Sequence, residues 1–300
     1  MRTITARDAR AKLAVLYPNA SRIKLVEHGY DNIVGLVDET YAVRFPRNND
    51  AYSRSLYEKS VFESIHGVQT LEIPRILDEG SDPHYLVTSF LHGSHLSSED
   101  IRNLSADEQE QFARDIAQFA FTLHQSLSVD DVSSYRHTFG LDELDEPWDL
   151  YFEKHLSNSE LPNENQNQLI TQYYQAWKNH VLSSGIFALH DDLHTDNILF
   201  QEGVVTGVLD FGDTNVGTPE QELRQLYRIN ERVLRVAVET YSALSGKGLS
   251  YEFAKNWAIV QELGSYADRL STGSIAHQSF IRACNNLNNW LPEGEWGKNL

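Results

Sequence analysis

The sequence predicts an α+β protein of two lobes: a small one built on an antiparallel sheet with one inserted helix, and a larger, mostly helical one. Three observations lead there. The chain has 300 residues, and at about 150 residues per domain that suggests two domains or one large domain with two lobes. Before residue 92, short runs rich in Val, Ile, Leu and Tyr dominate, the composition of strands. After it, long helical repeats dominate, with one β-rich island inside them. The expected division is 1–91 and 92–300, and a cleft between lobes is a natural ligand site.

The elements follow in order. Residues 5–17 place apolar side chains at helical spacing and stop before Pro18. Strands are expected over 22–27, 32–38 and 40–45, with turn candidates at His28-Gly29 and Asp38-Glu39 and Pro46 closing the third. Asp50 is placed to cap a helix that runs to Gly67, with Tyr57, Val61, Phe62 and Ile65 on one face. Two more strands, 75–78 and 84–90, complete the small sheet. Ser105 with Glu108 forms a capping-box signature. Phe112, Ile116, Phe119, Ala120 and Leu123 behind it make one buried helical stripe. Helices are expected over 148–155 and 164–182, and three more within 219–290, broken near 245–249 and 271–274.

Composition excludes several function classes. Lys and Arg number 25 against 43 Asp and Glu, a formal net charge of −18. A general nucleic-acid binder needs basic surface to displace counterions, and attraction to anionic lipid needs the same. Cys284 is the one cysteine, so no internal disulfide can form and a reducing, cytoplasmic setting is expected. The first residues are amphipathic and charged, without the apolar core of a secretory signal. No stretch approaches about 18 consecutive apolar residues.

The island 186–211 carries the chemistry. Runs 198–200 and 204–209 flank a turn at 201–203, a hairpin pattern. A hairpin brings its ends together, so Asn197 and Asp210 are expected side by side. Their oxygens are hard donors suited to Mg²⁺, which binds through few protein groups plus substrate phosphates. Asp192 lies on the loop leading in, where it could orient an attacking hydroxyl and take its proton. A base, two metal-binding oxygens and a metal are the parts of a phosphoryl-transfer site. Taken singly, each is an ordinary turn residue; the joint spacing is what points to chemistry.

The segment from His190 to Leu199, with Asp210-Phe211-Gly212 beyond it, resembles the catalytic loop and metal-binding segment of the protein-kinase-like superfamily. Its His-x-Asp-Leu-His form resembles the aminoglycoside phosphotransferase family rather than protein kinases. Asp191 occupies a position that is usually a small residue in that family. Further similarity runs from about residue 20 to 225. Gly29 and Asn32 fall where the family has a loop over the nucleotide phosphates. Arg44 falls where kinases place a phosphate-binding lysine, and Glu58 where its acidic partner stands, with Glu63 as an alternative.

The resemblance implies a bilobal, protein-kinase-like fold. It also implies a small-molecule kinase that binds ATP or GTP with Mg²⁺ and passes the γ-phosphoryl group to a hydroxyl. Asp192 would be the base, Asn197 and Asp210 the metal ligands, and His190 a brace. The family's acceptors include aminoglycoside and macrolide antibiotics, choline, homoserine and methylthioribose. Six carboxylates and no basic residue lie between Asp142 and Glu153, which would attract a polycationic acceptor and make antibiotic resistance one candidate role. Two other classes compete. A metal-dependent hydrolase could use His190, Asp192 and His194, but no distant ligand pattern completes that set. A non-catalytic binding module would be expected to lose Asp192, Asn197 or Asp210, and all three are present. Oligomeric state is left open.

Overall fold

The computed structural model describes residues 4–27, 31–65, 67, 70–157, 161, 163–180 and 185–298. Helix α1 (Ala6–Leu16) precedes strands β1 (Ile23–Val26), β2 (Asn32–Val37) and β3 (Tyr41–Pro46). Then come α2 (Asn49–Ile65), β4 (Ile76–Gly80) and β5 (Tyr85–Ser89). These five strands form one antiparallel sheet in the order β1-β2-β3-β5-β4. The remainder is mostly helical: α3 (Ser98–Arg102), α4 (Ala106–Ser126), α5 (Val129–Phe139), α6 (Leu141–Leu144), α7 (Trp148–Leu156) and α8 (Glu164–Lys178). Strands β6 (Phe187–Leu189), β7 (Ile198–Gln201), β8 (Val204–Val208) and β9 (Asn215–Gly217) make the island. Helices α9 (Pro219–Leu223), α10 (Glu231–Ser245), α11 (Tyr251–Ser271) and α12 (Gln278–Trp290) close the chain. The α+β, two-lobed expectation holds.

Local chemistry explains the element ends. Thr5 caps α1 reciprocally with Asp8, and Ser105 caps α4 reciprocally with Glu108, each satisfying orphan amides of a first turn. The β2–β3 turn has positive φ at both Asp38 (50°) and Glu39 (52°), the geometry of a type I′ hairpin turn. For α2 the cap differs from expectation. Asn48 Oδ1 accepts from the Ala51 amide at 2.8 Å, while Asp50 sits inside the first turn. Helix α8 ends at Lys178, short of the expected 182; residues 181–184 lie outside the described set.

The last part departs most from the sequence pattern. Residues 219–228 form the short α9 and a 3₁₀ turn rather than the start of a long helix. Helices α3, α5 and α6 and strand β9 also went unread. Helix α5 buries only Val132 and Arg136, so it has almost no apolar stripe to reveal it.

Two apolar cores result. The smaller holds eight buried residues: Ile4, Ala9, Leu13, Ile33, Val37, Val43, Phe45 and Val87. It joins α1 to one face of the sheet, where Gly35 leaves room for Leu13; an added Cβ there would lie 2.5 Å from Leu13 Cδ1. The larger core belongs to the helical lobe, yet it includes Tyr57, Val61, Phe62 and Ile65 of α2. Helix α2 is thus covalently part of the sheet lobe but packed into the other. Among the described residues no helix is long and apolar enough to cross a membrane.

Candidate active site

The β7–β8 hairpin is the platform. Its turn places Glu202 and Gly203 at φ 54° and 82°. Both edges are clamped. Ser94 and Phe200 exchange backbone hydrogen bonds at 2.8 and 2.9 Å, and Glu72 donates to Thr206 O and accepts from the Val208 amide, both at 2.9 Å. Gly93, at φ 144°, is needed for that approach, because a Cβ would lie 3.0 Å from Phe200 O. At the open end the Leu209 amide donates to Asn197 O at 2.8 Å. Asn197 and Asp210 therefore leave adjoining strand ends, as the hairpin pattern required. Asn197 Nδ2 donates to Asp192 O (2.9 Å) and Asp192 Oδ2 (3.1 Å), which ties the loop to the hairpin and leaves the Asn197 Oδ1 acceptor for a ligand.

Two histidines hold that loop. His190 is fully buried; its Nδ1 accepts from the Asp192 amide at 3.3 Å and its Nε2 lies 2.9 Å from Leu209 O. His194 Nδ1 accepts from the Asp196 amide at 3.1 Å, and Nε2 lies 3.2 Å from Asp192 Oδ2. Both nitrogens of both rings are committed, which disagrees with a metal centre built on His190, Asp192 and His194. Gln225 Nε2 donates to Asp192 Oδ1 at 2.9 Å. Burial pushes the Asp192 carboxyl up, but the hydrogen bond it accepts from His194 and the charge of Arg224 outweigh it, so its pKa falls well below the usual carboxylate range.

On the sheet side Arg44 of β3 pairs with Glu58 of α2, and Glu58 Oε1 also accepts the Phe211 amide at 3.0 Å. Glu63, the alternative, is instead an exposed neighbour of Lys59 at 4.0 Å. Burial pushes the Glu58 carboxyl up, with Arg44 opposing it and the Asp210 charge adding to it. Four residues before Glu58, Arg54 binds Asp145 and lies 3.3 Å from Asp213 and 4.0 Å from Asp31. Partial burial and the charges of Asp192 and Asp210 raise the Asp213 carboxyl, with Arg54 opposing, although its side chain keeps 61% exposure. Among the described residues no hydrogen bond or ion pair reaches the Asp210 carboxylate. The unpartnered Asp210 carboxylate and the free Asn197 Oδ1 are hard donors of the kind that hold Mg²⁺ together with substrate phosphates; among the described residues no group of three or more His, Cys, Asp or Glu could hold a metal by itself.

A second layer went unread in the sequence. Asp191 has φ 63°, a left-handed backbone that favours glycine and tolerates Asp. That explains the usual small residue and how Asp replaces it. Its buried carboxylate is satisfied by Arg224 Nη1 at 2.7 Å, Gln221 Nε2 at 2.9 Å and Trp148 Nε1 at 3.2 Å. Arg224 is wedged between the Trp148 and Trp257 rings, 5.4 and 5.3 Å from their centroids. Glu222 accepts the amides of His190 (2.7 Å) and Asp191 (3.2 Å), fixing the backbone of the loop that carries Asp192. In the sequence, Glu220 to Arg224 reads as part of the first of three helices within 219–290; nothing local marks its charged side chains as buried.

The structure thus brings Asp192 and Asn197 into contact, and joins Arg44 to Glu58 and Glu58 to the residue after Asp210. Asn32 is buried on β2, and its Oδ1 has no hydrogen-bond partner among the described residues. Gly29 lies outside the described residues.

Comparison with known proteins agrees with this geometry. Residues 22–256 match the APH family model, described as a phosphotransferase enzyme family. No curated protein matches the chain. Among solved structures, the GDP complex of aminoglycoside 2'-phosphotransferase-IIIa is similar at TM-score 0.76 and 14% identity, covering 95% of this chain and 98% of that one. The streptomycin–ATP ternary complex of APH(2")-IIa gives 0.63 and 18%, covering 94% and 99%. The apoenzyme of macrolide 2'-phosphotransferase MphH from Brachybacterium faecium gives 0.66 and 17%, covering 94% and 97%. At these identities the likeness is one of fold.

Proposed function

Because the chain belongs to the phosphotransferase enzyme family, and so is a small-molecule kinase, we propose that it transfers the γ-phosphoryl group of ATP or GTP to a hydroxyl of a small molecule at Asp192. The observation that carries this reading is the junction of the Asp192 carboxylate with Asn197 at 3.1 Å, at the mouth of a hairpin whose other strand leads into Asp210. The acceptor hydroxyl hydrogen-bonds to Asp192, which orients it. Its oxygen bonds to the γ-phosphorus, the bond to the β-phosphate bridging oxygen breaks, and the hydroxyl proton passes to Asp192. A carboxylate held so acidic is a weak base, which suits a loose transition state in which the proton leaves late. Asn197 and Asp210 would hold Mg²⁺, which neutralises phosphate charge. Arg44, held by Glu58, reaches for the nucleotide phosphates. Asn32 offers its Oδ1, without a partner among the described residues, to a donor on the nucleotide.

Two expected results test the donor side. Asp210→Ala should weaken binding of Mg²⁺-nucleotide at least tenfold by calorimetry; unchanged affinity would remove the metal role. Glu58→Gln keeps the shape but loses the charge that holds Arg44. Hydrogen bonds to charged groups contribute about 1.5–3 kcal/mol, so the nucleotide KM should rise roughly ten- to a hundredfold. An unchanged KM would separate Arg44 from the phosphates. The neighbours, with streptomycin bound in one ternary complex and a macrolide in an enzyme's name, set the range within which this chain's acceptor is sought.

A further inference from the structure

The cavity beside Asp192 has a polarity that the whole chain would not suggest. Its volume is about 540 Å³, within the range of small-molecule sites. Two lining residues, His194 and Gln225, touch Asp192 directly, at 3.2 and 2.9 Å. Three arginines also line it: Arg102 of α3, Arg228 of the 3₁₀ turn and Arg282 of α12. Asp196 is the one carboxylate among the described lining residues. Behind them the fully buried Glu262 accepts from Arg228 at 2.7 Å and lies 3.4 Å from Arg282. One buried acid thus steadies two guanidinium groups and cannot neutralise both. In a chain of formal net charge −18, a positive excess beside the base is the reverse of the background field, and such a patch concentrates anions.

The acidic run 142–153 is largely spent elsewhere. Asp145 binds Arg54 and Arg136, Asp142 lies 3.5 Å from Arg136, and Glu146 binds Lys154. Asp149 and Glu153 line a different cavity, of about 380 Å³, and none of its described lining residues hydrogen-bonds to Asp192.

Building on the kinase reading above, we propose that the acceptor carries an anionic group, a carboxylate or phosphate, on the same molecule as its hydroxyl. Arg282, the more exposed of the two, holds the anion, and Arg228, whose nitrogens donate to Glu262, Gln225 and Gln261, adds positive charge behind it; the hydroxyl meets Asp192. Guanidinium groups recognise both anions bidentately, and the side-chain amides of Asn285 and Asn289 in the lining suit further hydroxyls.

The test uses the full chain with Mg²⁺ and ATP or GTP, and four acceptors on one carbon skeleton: sorbitol, gluconate, sorbitol 6-phosphate and glucamine. Nucleoside diphosphate release is followed, with slow hydrolysis by water as the acceptor-free reference. Gluconate or sorbitol 6-phosphate should exceed sorbitol and glucamine in kcat/KM by at least tenfold, and whichever of the two dominates identifies the anion. Arg282→Glu should raise the KM for that anion at least tenfold and move the preference toward glucamine, with Arg282→Gln intermediate; an unchanged melting temperature excludes misfolding. Neutral or cationic acceptors that match the anions, an unmoved KM in both variants, or hydrolysis by water with no response to either anion would each overturn the anionic class and leave the kinase reading standing. No nucleotide turnover with any acceptor or with water would overturn the kinase reading itself.

Discussion

Asp192→Asn is expected to lower kcat by at least a hundredfold, and by up to about ten-thousandfold, the range removed with a positioned general base. Nucleotide affinity should change by less than about threefold, because in the proposed site the nucleotide is held by Arg44, Glu58, Asn197 and Asp210, and Asn197 keeps its hydrogen bond to the Asp192 backbone carbonyl. The substitution is nearly isosteric, but its effect on geometry needs a control. Asn197 Nδ2 and Gln225 Nε2 both donate to the Asp192 carboxylate, and an amide cannot accept at both ends. The urea midpoint should therefore fall slightly while the loop stays in place, since His190 and Glu222 anchor its backbone. Single-turnover kinetics with saturating nucleotide separate chemistry from binding. A variant that keeps more than a tenth of the wild-type rate would show that Asp192 neither orients nor deprotonates the acceptor.

The second large effect concerns stability. Asp191→Ala removes the partner of a guanidinium that is 1% exposed. Breaking a buried pair by deleting one member costs about 3–5 kcal/mol, and a Cβ-bearing residue without Asp's local hydrogen bonds adds roughly 1–2 kcal/mol at φ 63°. Asp191→Gly relieves the backbone but still strands Arg224. Combining Asp191→Gly with Arg224→Met should recover much of the loss, because an apolar replacement of a buried pair is often neutral or better. A urea-denaturation cycle over Asp191→Gly, Arg224→Met and the double variant measures the coupling. If Asp191→Gly alone falls within about 0.5 kcal/mol of wild type, Arg224 is not held by this carboxylate.

What the sequence revealed and what it hid have one physical origin. Signals carried by neighbours in sequence survived: the Ser105 capping box, the Asp38-Glu39 turn, and the hairpin that sets Asn197 beside the strand leading to Asp210. The roles of Arg54, Asp213, Glu222 and Arg224 depend on contacts across 30 to 160 residues of chain, such as Arg54 with Asp213 and Arg224 with Asp191. Charged residues read as solvated until something distant covers them. Glu58 is legible only through the family resemblance, which places an acidic partner for Arg44 on the helix after the third strand. Gln225 had no such signal, and only its hydrogen bond to Asp192 identifies it.

The split packing of α2 has a mechanical consequence. The sheet rests on a nucleus of eight side chains, while the helix threaded between its third and fourth strands is rooted in the opposite body, so the Arg44–Glu58 contact acts as a stitch across a seam. Strands with so small an anchorage sit at the weak end of local stability, and their amides should exchange with solvent earliest. A polyphosphate chain laid across that seam would fasten both sides at once, so the sheet should stiffen more than any other region when nucleotide arrives.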